Sequence, residues 1–150
     1  MIRGLLFLLL PLPTLLQAAQ AEPQTIQPDF WSGIRLAAER HLGRPYVWGG
    51  AGLKSFDCSG FVWRVMLENG ILVKRTTARK FYMSLPPVAR TDRFKFGNVV
   101  FFDNLKHCGI VNDPTTFYHA QLHKGTNLSE FDAFWRPKVC GFRKIPKTQP

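Results

Sequence analysis

Acidic residues are scarce in this chain. Ten Asp and Glu stand against 20 Lys and Arg among 150 residues, for a formal charge of +10. Cysteine is scarcer, at three. There is no Cys-x-x-Cys, no His-Glu-x-x-His, no internal repeat and no dense basic run. These gaps weigh against a zinc site, a repeat architecture and a specific nucleic-acid module. No apolar run reaches the roughly 20 residues that cross a bilayer, so a bundle of membrane spans is excluded. Disorder is excluded too, because 45% of the chain is hydrophobic and 13 Phe, 4 Trp and 3 Tyr can furnish a core. The length suits one domain, which typically takes roughly 100–200 residues.

Met1 to Ala21 reads as a secretory signal: Arg3 gives the positive start, Leu5 to Leu10 the apolar stretch, and Ala19-Gln20-Ala21 the small residues of a cleavage site. Cleavage near Ala21 leaves 129 residues with a charge of +9, exported to the periplasm or the medium. Such a protein is drawn to anionic cell-envelope polymers. Its basic residues are scattered, as in Arg75, Arg79, Lys80, Arg90, Arg93 and Lys95, so the attraction is nonspecific. A monomer is expected.

Residues 22–27 form a loose lead-in, and the globular domain is expected over 28–150. Asp29 is placed to cap a helix whose buried face carries Trp31, Ile34, Ala37, Ala38 and Leu42. Gly43-Arg44-Pro45 ends it, and His41 is expected at its solvated surface. A Gly-rich loop from Tyr46 to Asp57 leads to a second helix from Cys58 to about Gly70. A short helical turn is expected after Thr76-Thr77, before Pro86-Pro87. Four β-rich runs follow: Val99–Phe102, Gly109–Val111, Thr116–Tyr118 and Val139–Phe142. Helices first and strands after predict an α+β fold with an antiparallel sheet.

Cys58 stands apart from the other cysteines. At a helix N-terminus, free N–H groups and the positive end of the dipole favour the thiolate, which is the nucleophile. A cysteine nucleophile needs an imidazole base and a third group to orient it. His107 opens one β-rich run and His119 closes another, so neighbouring antiparallel strands would set them side by side. His123, in a turn beyond the strand, is a rival for the third place.

The order of motifs resembles the NlpC family of papain-like cell-wall cysteine peptidases. Tyr46-Val47-Trp48-Gly49-Gly50 is similar to the family's loop before the nucleophile, and Phe56-Asp57-Cys58-Ser59-Gly60-Phe61-Val62 to its nucleophile motif. Arg75-Thr76-Thr77, Phe96 to Phe102, His107-Cys108-Gly109-Ile110-Val111 and Tyr118-His119-Ala120 resemble later segments in order. The resemblance implies a papain-like core of N-terminal helices packed on an antiparallel sheet. It implies Cys58 as nucleophile, His107 as base, His119 as the polar third member, and Tyr46, Asp57 and Ser59 lining the substrate cleft. The implied reaction is hydrolysis of peptidoglycan stem peptides, commonly between γ-D-glutamyl and a diamino acid, with no metal or organic cofactor.

Asn98 replaces an acid usual in the family, Lys74 a proline, and Cys108 a small apolar residue. Three cysteines leave at least one unpaired, and a Cys108–Cys140 disulfide or two buried thiols are both compatible with the sequence. Strand alternation turns Cys108 away from the face carrying His107. Asn127-Leu128-Ser129 matches a glycosylation acceptor, a tripeptide common by chance. Two other functions fit the scaffold: an amidase or acyltransferase acting on a non-wall substrate, and a non-catalytic wall-binding protein.

Overall fold

The computed structural model describes residues 29–147. The signal segment 1–21 and the lead-in 22–27 lie outside the described residues. Helix α1, Phe30–Arg40, begins where Asp29 Oδ1 accepts from the N–H groups of Trp31 and Ser32 at 3.0 and 3.3 Å. It buries Ile34, Ala37 and Ala38. His41 follows, and here the structure corrects the expectation. Packing of α1 on the next helix buries His41, whose Nε2 lies 2.8 Å from Glu68 Oε1.

Helix α2, Cys58–Glu68, is capped by Asp57 and closed by Gly70 in a left-handed conformation, φ 77°. Helix α3, Ala78–Ser84, is capped by Thr77, whose hydroxyl accepts from Lys80 N–H, and gives way at Leu85 before the two prolines. Five strands follow: β1 Asn98–Phe102, β2 His107–Val111, β3 Thr116–Gln121, β4 Gly125–Glu130 and β5 Val139–Lys144. They form one antiparallel sheet in the order β4-β3-β2-β1-β5. Four of them contain the expected runs. β4, Gly-Thr-Asn-Leu-Ser-Glu, was not expected, because it carries one large apolar residue. It is an edge strand held by its pairing with β3 from Thr116↔Glu130 to Gln121↔Gly125.

Alternation along the strands divides the core in two. Val99, Phe101, Cys108, Ile110, Tyr118 and Ala120 face the helices and pack with Phe61, Val62, Val65 and Met66 of α2. Val100, Phe102, Val111, Phe117 and Phe142 face the other way and are covered by Phe94, Phe131 and Trp135. The result is an α+β domain with three helices on a five-stranded antiparallel sheet. None of the described helices is long and apolar enough to cross a membrane.

Candidate active site

Cys58 is the first residue of α2, and the segment before it is tightly fixed. The Asp57 carboxylate accepts from Gly60 N–H at 2.6 Å, Gly49 N–H at 2.9 Å and the Ser59 hydroxyl at 3.0 Å. Arg75 Nη2 bonds both of its oxygens, at 2.7 and 2.8 Å, while Nη1 donates to Ser59 Oγ at 3.0 Å. Gly60 is required here, because a Cβ on it would lie 1.8 Å from the Gly50 carbonyl oxygen. Helix start and loop are thus pressed backbone to backbone.

His107 arrives from the other direction, as the first residue of β2. The turn delivering it holds three consecutive non-glycine residues at positive φ: Asp103 at 50°, Asn104 at 54° and Leu105 at 67°. Left-handed backbone is unfavourable for L-residues, Leu above all, and such strain gathers where a side chain must be aimed. The turn is held by Lys106 N–H donating to the Phe102 carbonyl at 3.2 Å and Arg79 Nη2 donating to the Asn104 carbonyl at 3.0 Å.

The register of β2 and β3 pairs Ile110 with Tyr118 and Val111 with Phe117. Continued, it sets His119 opposite Gly109 and makes His107 its diagonal neighbour, within reach of a long side chain. Gly109 must lack a side chain, since a Cβ there would meet the His119 Cβ at 3.1 Å and the Tyr118 carbonyl at 2.6 Å. Across this gap His107 Nε2 and His119 Nδ1 lie 2.8 Å apart. Trp135 lies nearly parallel to the His107 ring, at 5.3 Å and 24°, and edge-on to His119, at 5.0 Å and 89°.

The direction of this hydrogen-bond chain follows from its far end. Asn127 Nδ2 donates to the Gly125 carbonyl at 2.8 Å, so Asn127 Oδ1 is the acceptor for Ser129 Oγ, also at 2.8 Å. Having donated its one proton, Ser129 Oγ accepts from His119 Nε2 at 2.9 Å. His119 Nδ1 is then unprotonated and accepts from His107 Nε2–H. That leaves His107 Nδ1 for the thiol of Cys58, whose pKa the imidazole lowers. His119 suits this role: burial, then the His107 charge, hold its pKa down to about 2, so it stays neutral.

Cys58 is 8% exposed, and its Sγ lies 3.9 Å from the Lys106 carbonyl oxygen. Its pKa is lowered to about 5, first by a hydrogen bond from Cys108 and then, against the opposing effect of burial, by His107. Cys58 is a thiolate at neutral pH. Beside it opens a cleft of about 750 Å³, bordered by Tyr46, Lys106, His107, Phe134, Trp135 and Lys138.

A model of the NlpC/P60 family matches residues 43–144, which contain every group just described. The chain belongs to the NlpC/P60 family. It is 33% identical over 113 residues to the probable peptidoglycan endopeptidase LytE of Bacillus subtilis, covering 72% of this chain and 32% of that protein. It is 40% identical over 111 residues to the probable endopeptidase p60 of Listeria seeligeri, covering 72% and 21%. Each relative is several times longer than the part it shares with this chain. Among solved structures, a lipoprotein-like NLP/P60 protein of Staphylococcus aureus superposes with a TM-score of 0.69 at 26% identity, covering 83% of this chain and 44% of that one.

Within this NlpC/P60 domain the structure brings Cys58, His107 and His119 together, with Tyr46 at the cleft. Asp57 and Ser59 lie buried behind Cys58, bonded to Arg75, and do not border the cleft. His123 is exposed in the turn between β3 and β4 at φ 71°, and the imidazole meeting His107 is that of His119. All three cysteines are free, and β1 separates Cys108 on β2 from Cys140 on β5. Cys108 does face away from Phe102 and Trp135, and that orientation places it in the same buried cluster as Cys58. Three contributors escaped the sequence reading: Ser129, Asn127 and Trp135. Asn127 and Ser129 are two apart, so on a strand they share a face. Seeing β4 as a strand would have exposed the pair.

Proposed function

We propose that this protein is an exported cysteine endopeptidase that hydrolyses peptide bonds in peptidoglycan stem peptides, cutting between γ-D-glutamyl and the diamino acid. The observation that carries the reading is the one-directional chain from Asn127 through Ser129, His119 and His107 to a thiolate beside an open cleft. The relatives' names, endopeptidase and peptidoglycan endopeptidase, support the substrate class.

In this mechanism the Cys58 thiolate attacks the scissile carbonyl carbon. The oxyanion forms against the backbone N–H of Cys58 at the helix start. His107 Nδ1–H then protonates the leaving amine as the C–N bond breaks, leaving a thioester on Cys58. Water, deprotonated by the same nitrogen, attacks the thioester, and the acid product departs with the thiolate restored. His119, unprotonated at Nδ1, holds the His107 ring through both steps. Tyr46 contacts the peptide, and Lys106 and Lys138 on the cleft wall meet its carboxylates. Asp57 and Ser59 serve the substrate side by fixing the Tyr46–Gly50 loop.

The test is digestion of purified peptidoglycan beside the Cys58→Ala variant, with products read by mass spectrometry. Fragments ending at the D-glutamyl residue, absent with the variant, are expected. Intact muropeptides from the wild-type protein would rule the reading out.

Export and wall attraction belong to the same proposal. N-terminal sequencing of the exported protein is expected to begin just after Ala21. Adsorption to isolated walls is expected to fall steeply between low and high salt, because screening weakens a diffuse charge attraction. Salt-independent adsorption would assign it to specific contacts instead.

A further inference from the structure

Cys108 has no task in the mechanism above, yet it sits against the nucleophile. α2 lies across β2, Cys58 Sγ sits 3.9 Å from the Lys106 carbonyl just before β2, and both sulfurs belong to the helix-side cluster, where each perturbs the titration of the other. The two differ sharply in access: Cys58 reaches the surface beside the cleft, whereas Cys108 is 0% exposed. A dissolved oxidant therefore meets Cys58 first.

We infer that Cys58 and Cys108 form a redox pair, in which a hydroperoxide oxidises Cys58 and Cys108 resolves the product to a disulfide that reversibly silences the nucleophile. The inference rests on the proposed role of Cys58 for its effect on activity, and on the packing of the two cysteines in one buried cluster for the disulfide.

The first step is attack of the Cys58 sulfur lone pair on the distal peroxide oxygen. The O–O bond breaks, the second oxygen leaves as alcohol or water with a proton from His107, and Cys58 becomes the sulfenic acid. In the second step the Cys108 sulfur attacks the Cys58 sulfur. The S–O bond breaks, and hydroxide leaves with the Cys108 proton as water. The peroxide is reduced and two thiols are oxidised to one disulfide. A dithiol reverses it by exchange.

Burial and the adjacent Cys58 thiolate push the Cys108 thiol well up, so Cys108 remains S–H until its neighbour turns electrophilic. Without a resolving thiol, sulfenic acid proceeds to the sulfinic acid, which dithiols do not reverse. Cys140 is not placed to resolve. It is exposed at the bulge of β5, outside the buried cluster that holds Cys58 and Cys108.

The experiment uses the Cys140→Ser protein, to remove intermolecular pairing, titrated with hydrogen peroxide and digested without reductant. A cross-linked peptide containing Cys58 and Cys108, lighter than its two parts by two hydrogens, is expected. It should accumulate in step with loss of peptidoglycan hydrolysis, and dithiothreitol should reverse both. In Cys108→Val the cross-link is absent and Cys58 accumulates as the sulfinic acid after the same treatment. Should hydrolysis not be the activity, iodoacetamide labelling of Cys58 replaces it as the readout, and the cross-link remains the criterion. Cys58 passing to the sulfinic acid in the Cys140→Ser protein while Cys108 stays free would overturn the inference, however Cys108→Val folds.

Discussion

Trp135 lies 5.3 Å from His107 with the two rings 24° from parallel, and Asp132 fixes it there. The Asp132 carboxylate accepts from the N–H groups of Phe134 and Trp135, each at 2.9 Å. A base that must exchange protons with both thiol and leaving group has to keep one ring orientation, and this contact restrains rotation about the ring axis. Aromatic pairs contribute about 0.5–1.5 kcal/mol beyond burial. Trp135→Phe is therefore expected to lower kcat about three- to tenfold with a smaller change in KM, read by steady-state kinetics on a stem-peptide substrate.

Ser129→Ala removes the acceptor for His119 Nε2–H in a place where the ring is fully buried. The unpaired donor costs about 1–3 kcal/mol, and the alternative tautomer relieves it only by setting two N–H groups face to face between His119 and His107. Turnover is expected to fall roughly ten- to a hundredfold in Ser129→Ala and to vanish in Cys58→Ala with its fold retained. His119→Ala should keep some activity, and greater damage from His123→Ala would displace His119 from its role.

Alkylation of Cys58 by iodoacetamide is expected to show its midpoint near pH 5. Above that pH the thiolate dominates; as pH falls through it the thiolate is protonated and the rate declines. Cys108→Val removes the leading cause of the lowered value, so the midpoint should move upward. Neutral His119 should contribute nothing to the acid limb above pH about 2.

Arg75 links the Thr76 segment to the nucleophile loop through a bidentate pair with Asp57, the side chains 26% and 11% exposed. Arg75→Ala leaves a largely buried carboxylate short of its cation, at a cost of about 1.5–3 kcal/mol in urea denaturation. Arg75→Lys should restore little of it, because a single ammonium cannot meet both Asp57 oxygens as Nη2 does and also reach Ser59 Oγ as Nη1 does.

Helix boundaries, and the place of Cys58 at the head of α2, were legible because each has a local cause: Asp29, Asp57 and Thr77 as caps, and Gly70 as a stop. The pairing of His107 with His119 was legible from strand alternation alone. What escaped depends on contacts distant in sequence. β4 is polar and holds its conformation through β3, so nothing local marks Ser129 and Asn127 as partners of His119. Nothing local sets Trp135 apart from the other aromatics, and His41 looked solvated because its neighbour Glu68 lies on another helix. The sequence left a Cys108–Cys140 bridge and two buried thiols equally open, and the nearness of Cys108 to Cys58 became visible only once α2 lay against β2.

The thiol rises from the helix layer and the two imidazoles belong largely to the opposite side of the same sheet, so the reacting groups are joined only by the packing of one layer on the other. A heated sample whose helices persist while the layers loosen would keep its circular dichroism and lose its chemistry. Turnover would report the first loosening of that seam, before any spectroscopic midpoint.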